Sequence, residues 1–253
     1  MKKTWEFKNI ANDPKTGELF LYGEIASSTW FGDEVTPIQF KKDLDSLGDI
    51  KTLNIYINSP GGDVFAADAM YNIVKRHGAY KNVYIDGMAA SAAHYFSMVG
   101  DTIYVYSNSM GMIHKPGLVL IGAYNSTEMR KYADTLDKVQ ESVIPIYTQR
   151  TKLNEQEIIE LMDAETWLTA DDEVTFGFAD EILEGKQIAA SLKAGHLIMN
   201  GQEFDLDRFK TKPKLDGIPE EPKNEEPDAD RLFIYQKQIA LKNKKYKYQE
   251  DKE

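Results

Sequence analysis

Cysteine is absent from all 253 residues, which excludes disulfides, thiolate metal sites and a cysteine nucleophile and fits a reducing compartment. No run of 18 apolar residues is present to span a bilayer, so a membrane partner is not expected. The opening residues, Met1 to Glu6, lead into polar sequence instead of an apolar stretch with a small-residue cleavage site, and export is not expected. Positive charge is scarce: 30 Lys and Arg stand against 41 Asp and Glu, for a net charge of −11. Generic polyanion binding is therefore disfavoured, and no nucleic-acid partner is expected. What is there, 42% hydrophobic and 28% charged residues, is an ordinary globular composition with ample core for one large domain. The function must reside in a local site.

Composition breaks near residue 188. Residues 1–187 read as one folded domain and 188–215 as a connecting segment. Residues 216–230, DGIPEEPKNEEPDAD, hold seven acids, one lysine and three prolines and read as an acidic linker. Residues 231–253 read as a short amphipathic helix or a basic tail. Within the domain, a strand pair is expected at Trp5 to Ile10 and Glu18 to Ile25, joined by a turn over 12–17. β-rich runs follow at 52–58, 82–86, 102–106 and 110–114. Between the first two, Asp63 to Arg76 has a capping aspartate, an apolar face of Phe65, Met70, Ile73 and Val74, and a stop at Gly78. This βαβ unit predicts an α/β fold with a parallel sheet and right-handed crossovers. A long helix is expected from Ser126 to Arg150, with Met129, Tyr132, Leu136 and Val139 on one side and Pro145 kinking or ending it. Asn154 with Glu157 opens another helix, and Thr169 opens a short one that stops at Gly177.

Three segments sit where strands hand over to helices or loops. In Asn58-Ser59-Pro60-Gly61-Gly62-Asp63, consecutive glycines let backbone N–H groups converge on an anion, and the following helix start adds partial positive charge. The spacing fits neither a P-loop nor a dinucleotide fingerprint; a plain tight turn is the competing reading. In Gly87-Met88-Ala89-Ala90-Ser91-Ala92-Ala93-His94, small neighbours leave room for a polypeptide to approach the Ser91 hydroxyl, although the same pattern suits a closely packed helix. It is not the G-x-S-x-G elbow. A serine nucleophile needs a base. Of four histidines, His77 and His196 read as surface residues, His94 lies at i+3 from Ser91, and His114 leaves an apolar strand at the sheet edge where functional groups converge. An acid to orient the imidazole is offered by Asp163 or Glu165 in a loop between helices, and periodicity does not choose between them.

Taken together, YINSPGGDVFAADAMYNI, IDGMAASAAH, MGMIHKP and ETWLTADDEVTFGFADEI stand in the order and spacing of the Clp protease proteolytic subunit family of serine peptidases. The sequence resembles that family over roughly residues 18 to 185. The resemblance implies a crotonase-like α/β fold and a serine endopeptidase with neither cofactor nor metal. It assigns the nucleophile to Ser91, the general base to His114 and the oxyanion donors to the amides of Gly62 and Ala92. Ala92 stands where most members carry methionine, a change that a backbone donor tolerates. Aligning the aromatic residue and the helix start that follow assigns the third member to Glu165, where the family has aspartate, with Asp163 in reserve. The segment from Lys115 to Gly122 departs from the family's Gly- and Gln-rich sequence. The resemblance further implies a polypeptide substrate, a homo-oligomer built as a heptameric ring or double ring, and an AAA+ unfoldase as a partner. The LYGEI, GDEVTP and ETWLTA stretches resemble the head-maturation proteases of tailed phages and prophages. That branch implies capsid or scaffold protein as substrate, cut without ATP or with chaperone assistance in the bacterial host cytoplasm. The alternatives are a bacterial-type chamber fed by an ATP-dependent unfoldase, a crotonase-like acyl-CoA enzyme and an inactive scaffold.

Overall fold

The computed structural model describes residues 5–26, 37–184, 190–193, 196–199 and 202–213. All of them belong to the first of two compact units, Met1–Ile218, while the second, Pro219–Glu253, lies outside the described residues. Both the 216–230 linker and the 231–253 segment also fall outside the described residues. No described helix is long and apolar enough to cross a membrane.

The chain opens with a hairpin of β1 (Trp5–Ile10) and β2 (Asp13–Leu21). Most of the stretch expected to turn is strand: only Ala11 and Asn12 reverse the chain, and a register shift at Asn9/Ile10 absorbs the tight connection. Ile25 is not part of β2 but forms an isolated bridge to Gly62. After α1 (Pro37–Ser46), which sequence reasoning did not single out, β3 (Thr52–Ser59), α2 (Val64–Arg76) and β4 (Tyr80–Ala90) form the expected βαβ unit. Next come α3 (Ala92–Ser97), β5 (Thr102–Tyr106), β6 (Met110–Ile113), α4 (Ser126–Arg150) and α5 (Glu155–Asp163). They are followed by β7 (Thr166–Thr169), α6 (Ala170–Phe176) and β8 (Glu181–Leu183). The stretch read as a connecting segment contains β9 (Ala190–Lys193), β10 (His196–Met199) and β11 (Gln202–Asp205), a separate antiparallel sheet that leads into a 3-10 turn, Leu206–Arg208.

In the main sheet β2, β3, β4, β5 and β8 are successive parallel neighbours. Asn82–Ile85 of β4 pair with β5, whereas Met88–Ala90 pair with β6, which in turn runs antiparallel to β7. Strand alternation sorts the two faces. Leu53, Ile55 and Ile57 of β3 and Ile103 and Val105 of β5 are buried with Phe40 of α1, Met70 and Val74 of α2 and Phe96 of α3. The opposite face carries a stacked aromatic row, Phe20, Tyr56, Tyr84 and Tyr104, with centroid spacings of 4.8, 5.1 and 4.9 Å.

The helices start where their caps predict. Asp63 accepts from the Phe65 and Ala66 amides, and Asn125, Asn154 and Thr169 close capping boxes with Glu128, Glu157 and Asp172. One expectation needs correction. Phe65 is 66% exposed, because α2 turns Ala66, Ala67, Met70 and Val74 to the core and Phe65 falls about 100° off that stripe. The α4 helix has its expected extent, and Pro145 does not end it; the residue whose carbonyl loses its partner, Glu141, is exposed to solvent.

Candidate active site

The register of three strands assembles the site. β4 and β6 run side by side with Ala90 opposite Met112, so the residues that follow each strand emerge at the same edge. Those residues are Ser91, whose amide donates to the Met112 carbonyl at 2.9 Å, and, two positions after Met112, His114. β7 then pairs Thr166 with Ile113, which brings the preceding residue, Glu165, against His114. The stretch expected to be a loop between helices is thus partly strand, and that pairing aligns the carboxylate.

Ser91 Oγ lies 2.6 Å from His114 Nε2, and His114 Nδ1 lies 3.3 Å from Glu165 Oε2. A carboxylate can only accept, so Nδ1 carries the imidazole proton and Nε2 is free to accept from the Ser91 hydroxyl. Such a tautomer can take the serine proton during nucleophilic attack. Ser91 has φ 54° and ψ −125° and caps α3, its carbonyl accepting from the His94 and Tyr95 amides. This uncommon backbone conformation holds the hydroxyl at the junction of strand and helix.

The glycine turn packs directly against this junction. A Cβ on Gly61 (φ +87°) would come within 2.5 Å of the Ala90 carbonyl oxygen and 2.8 Å of both the Ala92 nitrogen and Ser91 Cβ. A Cβ on Gly62 (φ +145°) would lie 2.1 Å from the Ile25 carbonyl oxygen. Both positions therefore exclude a side chain on steric and conformational grounds. Among the described residues, neither the Gly62 nor the Ala92 amide donates to an internal acceptor. Two such amides are available to an incoming anionic oxygen.

The other candidates are engaged elsewhere. Asp163 pairs with Lys115, Oδ1 to Nζ 2.6 Å, near the surface. His94 is fully buried, with Nε2 3.0 Å from Glu173 Oε1 and Nδ1 3.2 Å from the Tyr147 hydroxyl. His77 accepts from the Ala79 amide, and His196 pairs with Glu203.

Burial lowers the His114 pKa from its ordinary value; the Glu165 carboxylate opposes this shift, whereas the charges of Arg208 and Lys210 reinforce it. Burial alone would raise the Glu165 pKa, but hydrogen bonds from the Thr211 amide, His114 and the Thr211 hydroxyl reverse it, and the carboxylate sits below its usual range. The resulting state, neutral imidazole beside ionised carboxylate, is the one a general base requires.

Sequence reasoning missed the contribution of residues 202–213. Phe209 sets its ring 6.0 Å from that of His114 and 5.4 Å from that of Trp167. Leu197, Phe204, Leu206 and Phe209 are buried with Met88, Ala90 and Met112. Thr211 donates to Glu165, and its carbonyl accepts from Trp167 Nε1 at 3.3 Å. The only available signal was the apolar spacing of Phe204, Leu206 and Phe209 in an otherwise polar stretch.

The Clp protease family model matches residues 18–186. The chain belongs to the Clp protease family. It is 28% identical over 148 residues to the ATP-dependent Clp protease proteolytic subunit of Streptococcus equi subsp. equi (strain 4047), covering 58% of this chain and 76% of the relative. The subunit of the same name from Deinococcus radiodurans is 26% identical over 143 residues, covering 56% and 69%. ATP-dependent Clp protease proteolytic subunit 1 of Protochlamydia amoebophila (strain UWE25) is 29% identical over 135 residues, covering 53% and 66%. The mixed α/β architecture agrees with membership of the Clp protease family, and its relatives' names support a peptidase. Ser91, His114, Glu165, Gly62 and Ala92 all lie inside the family match, whereas Phe209 and Thr211 lie beyond it.

Proposed function

We propose that this chain is a serine endopeptidase. Ser91 Oγ attacks the scissile carbonyl as His114 Nε2 takes its proton, and the Gly62 and Ala92 amides receive the oxyanion. Collapse breaks the C–N bond, and His114 returns the proton to the leaving amine. Water, activated by the same imidazole, then hydrolyses the acyl-enzyme. Glu165 orients the ring and stabilises the imidazolium. The observation that carries this reading is the continuous hydrogen-bonded row from Ser91 through His114 to Glu165.

Mass spectrometry after treatment with a fluorophosphonate tests it. An adduct on Ser91 that disappears in a folded His114→Ala variant is expected. An unlabelled wild-type protein, or thioester turnover surviving in Ser91→Ala, sinks the peptidase reading and favours an inactive scaffold or an acyl-CoA enzyme respectively.

The biological setting we propose is head maturation in a tailed phage or prophage, with capsid or scaffold protein as substrate and ring assembly hiding the sites from folded proteins. It rests on the resemblance of the LYGEI, GDEVTP and ETWLTA stretches. The relatives' names favour a second setting, a peptidase chamber fed by an ATP-dependent unfoldase. Co-purification with a hexameric ATPase and nucleotide-dependent degradation of a folded substrate decide for the second; cleavage of a co-expressed capsid protein without nucleotide decides for the first.

A further inference from the structure

Glu165 is longer by one methylene than the aspartate carried by the family it resembles, and its backbone adopts φ 48°, a region that side-chain-bearing residues rarely occupy. Left to itself, such a residue has both an uncommon backbone to maintain and an additional side-chain torsion to fix. Residue 211 meets both needs. The Thr211 hydroxyl donates to the Glu165 carbonyl oxygen at 2.7 Å and approaches carboxylate Oε1 at 3.2 Å, while the Thr211 amide donates to Oε1 at 2.6 Å. With Oε1 held this way, the other oxygen, Oε2, is presented to His114. Thr211 is itself fixed by Trp167, whose indole N–H donates to the Thr211 carbonyl, and by the burial of Phe209 two residues earlier.

We propose that Thr211 is a positioning residue for the Glu165–His114 pair, so that the segment 202–213, beyond the matched family region, is part of the catalytic apparatus. This inference deepens the serine peptidase reading and rests on it for its effect on rate. Its effect on the imidazole is measurable without turnover. The charged and titratable groups facing His114 are Glu165, Arg208 and Lys210, with Ser91 on Nε2. Glu165 alone among these charges favours the imidazolium, so loosening its carboxylate lowers the pH at which the ring protonates.

The test compares three variants in the full chain, titrating the His114 ring by NMR and measuring peptide cleavage. Thr211→Ser keeps both donors, Thr211→Val removes the hydroxyl, and Thr211→Pro removes hydroxyl and amide N–H together. The expected order of His114 pKa is wild type and Ser, then Val, then Pro, with Pro approaching Glu165→Gln. Loss of a hydrogen bond to a charged group predicts a fall in kcat of roughly tenfold or more for Val, a larger fall for Pro, and little change in KM. A His114 titration that is unchanged or raised in both Val and Pro, with the fold intact by circular dichroism, overturns the proposal. Failure of the wild-type protein to label at Ser91 would instead sink the peptidase reading, leaving the titration order to judge Thr211 separately.

Discussion

Two non-glycine residues among those described have positive φ, and both stand in the hydrogen-bonded row: Ser91 at 54° and Glu165 at 48°. Each such conformation costs about 1–3 kcal/mol and persists only where its surroundings enforce it. For Ser91 the enforcement is the hydrogen bond its amide donates to the Met112 carbonyl and the start of α3; for Glu165 it is Thr211. The electrostatics of the row give a signed prediction. Because burial lowers the His114 pKa from 6.5, the neutral, basic form persists to lower pH, and kcat/KM should lose its activity on a limb lying below pH 6.5. In Glu165→Gln the influences that raise the His114 pKa disappear, while burial, Arg208 and Lys210 remain. The limb should move further toward acid, and kcat should fall by roughly 10³- to 10⁴-fold. A pH–rate profile for the two proteins checks both; a limb that moves toward alkali contradicts the assigned role of Glu165.

Among the elements, α3 carries the amide of Ala92 beside Ser91 and is only six residues long, too short to be stable by itself. Ala92, Ala93, Tyr95 and Phe96 anchor it in the hydrophobic core, and a polar junction adds to that hold. His94 of α3 bonds Glu173 of α6 and Tyr147 of α4, with His94 and Glu173 side chains 0% and 1% exposed. The i+3 spacing that made His94 a rival base for Ser91 instead directs it into this three-helix junction. Removing one member of a buried hydrogen-bonded pair leaves the other unsatisfied, so Glu173→Leu should destabilise the fold by about 1–3 kcal/mol. The double replacement His94→Leu with Glu173→Leu should recover part of that loss, because the imidazole left unsatisfied by the single change is gone, although the buried Tyr147 hydroxyl then loses its His94 partner. Chemical denaturation of these two variants and of His94→Leu against wild type completes the cycle; additive losses would show that the pair is not coupled.

At the scale of the molecule, elements with strong local signals were readable in advance. β5 and α4 have the expected bounds, and α5 and α6 begin at their capping residues because period, cap and stop signals agree along the chain. The hairpin was harder, since Asp13 to Gly17 reads as turn chemistry yet is drawn into β2 by pairing with β1. β7 was not legible: Thr166–Thr169 is four residues long, and its strand character comes from β6. The segment carrying Ser91 could be found from small residues around a serine, and His114 from its place after an apolar strand. The resemblance assigned Glu165 with Asp163 in reserve where periodicity did not choose between them, and the pairing of Ile113 with Thr166 sets Glu165 beside His114. Thr211 left no local signal because its meaning lies in a contact with a residue 46 positions earlier.

The change of partner along β4 separates two territories. Its first half belongs to the scaffold with β5, while residues 88–90 support β6 and, through it, β7. Ser91, His114 and Glu165 consequently ride on a side spur, joined to the main sheet by a short splice. Alterations along the β5 and β8 border bear on the foundations, while those along the spur bear on the row from Ser91 to Glu165.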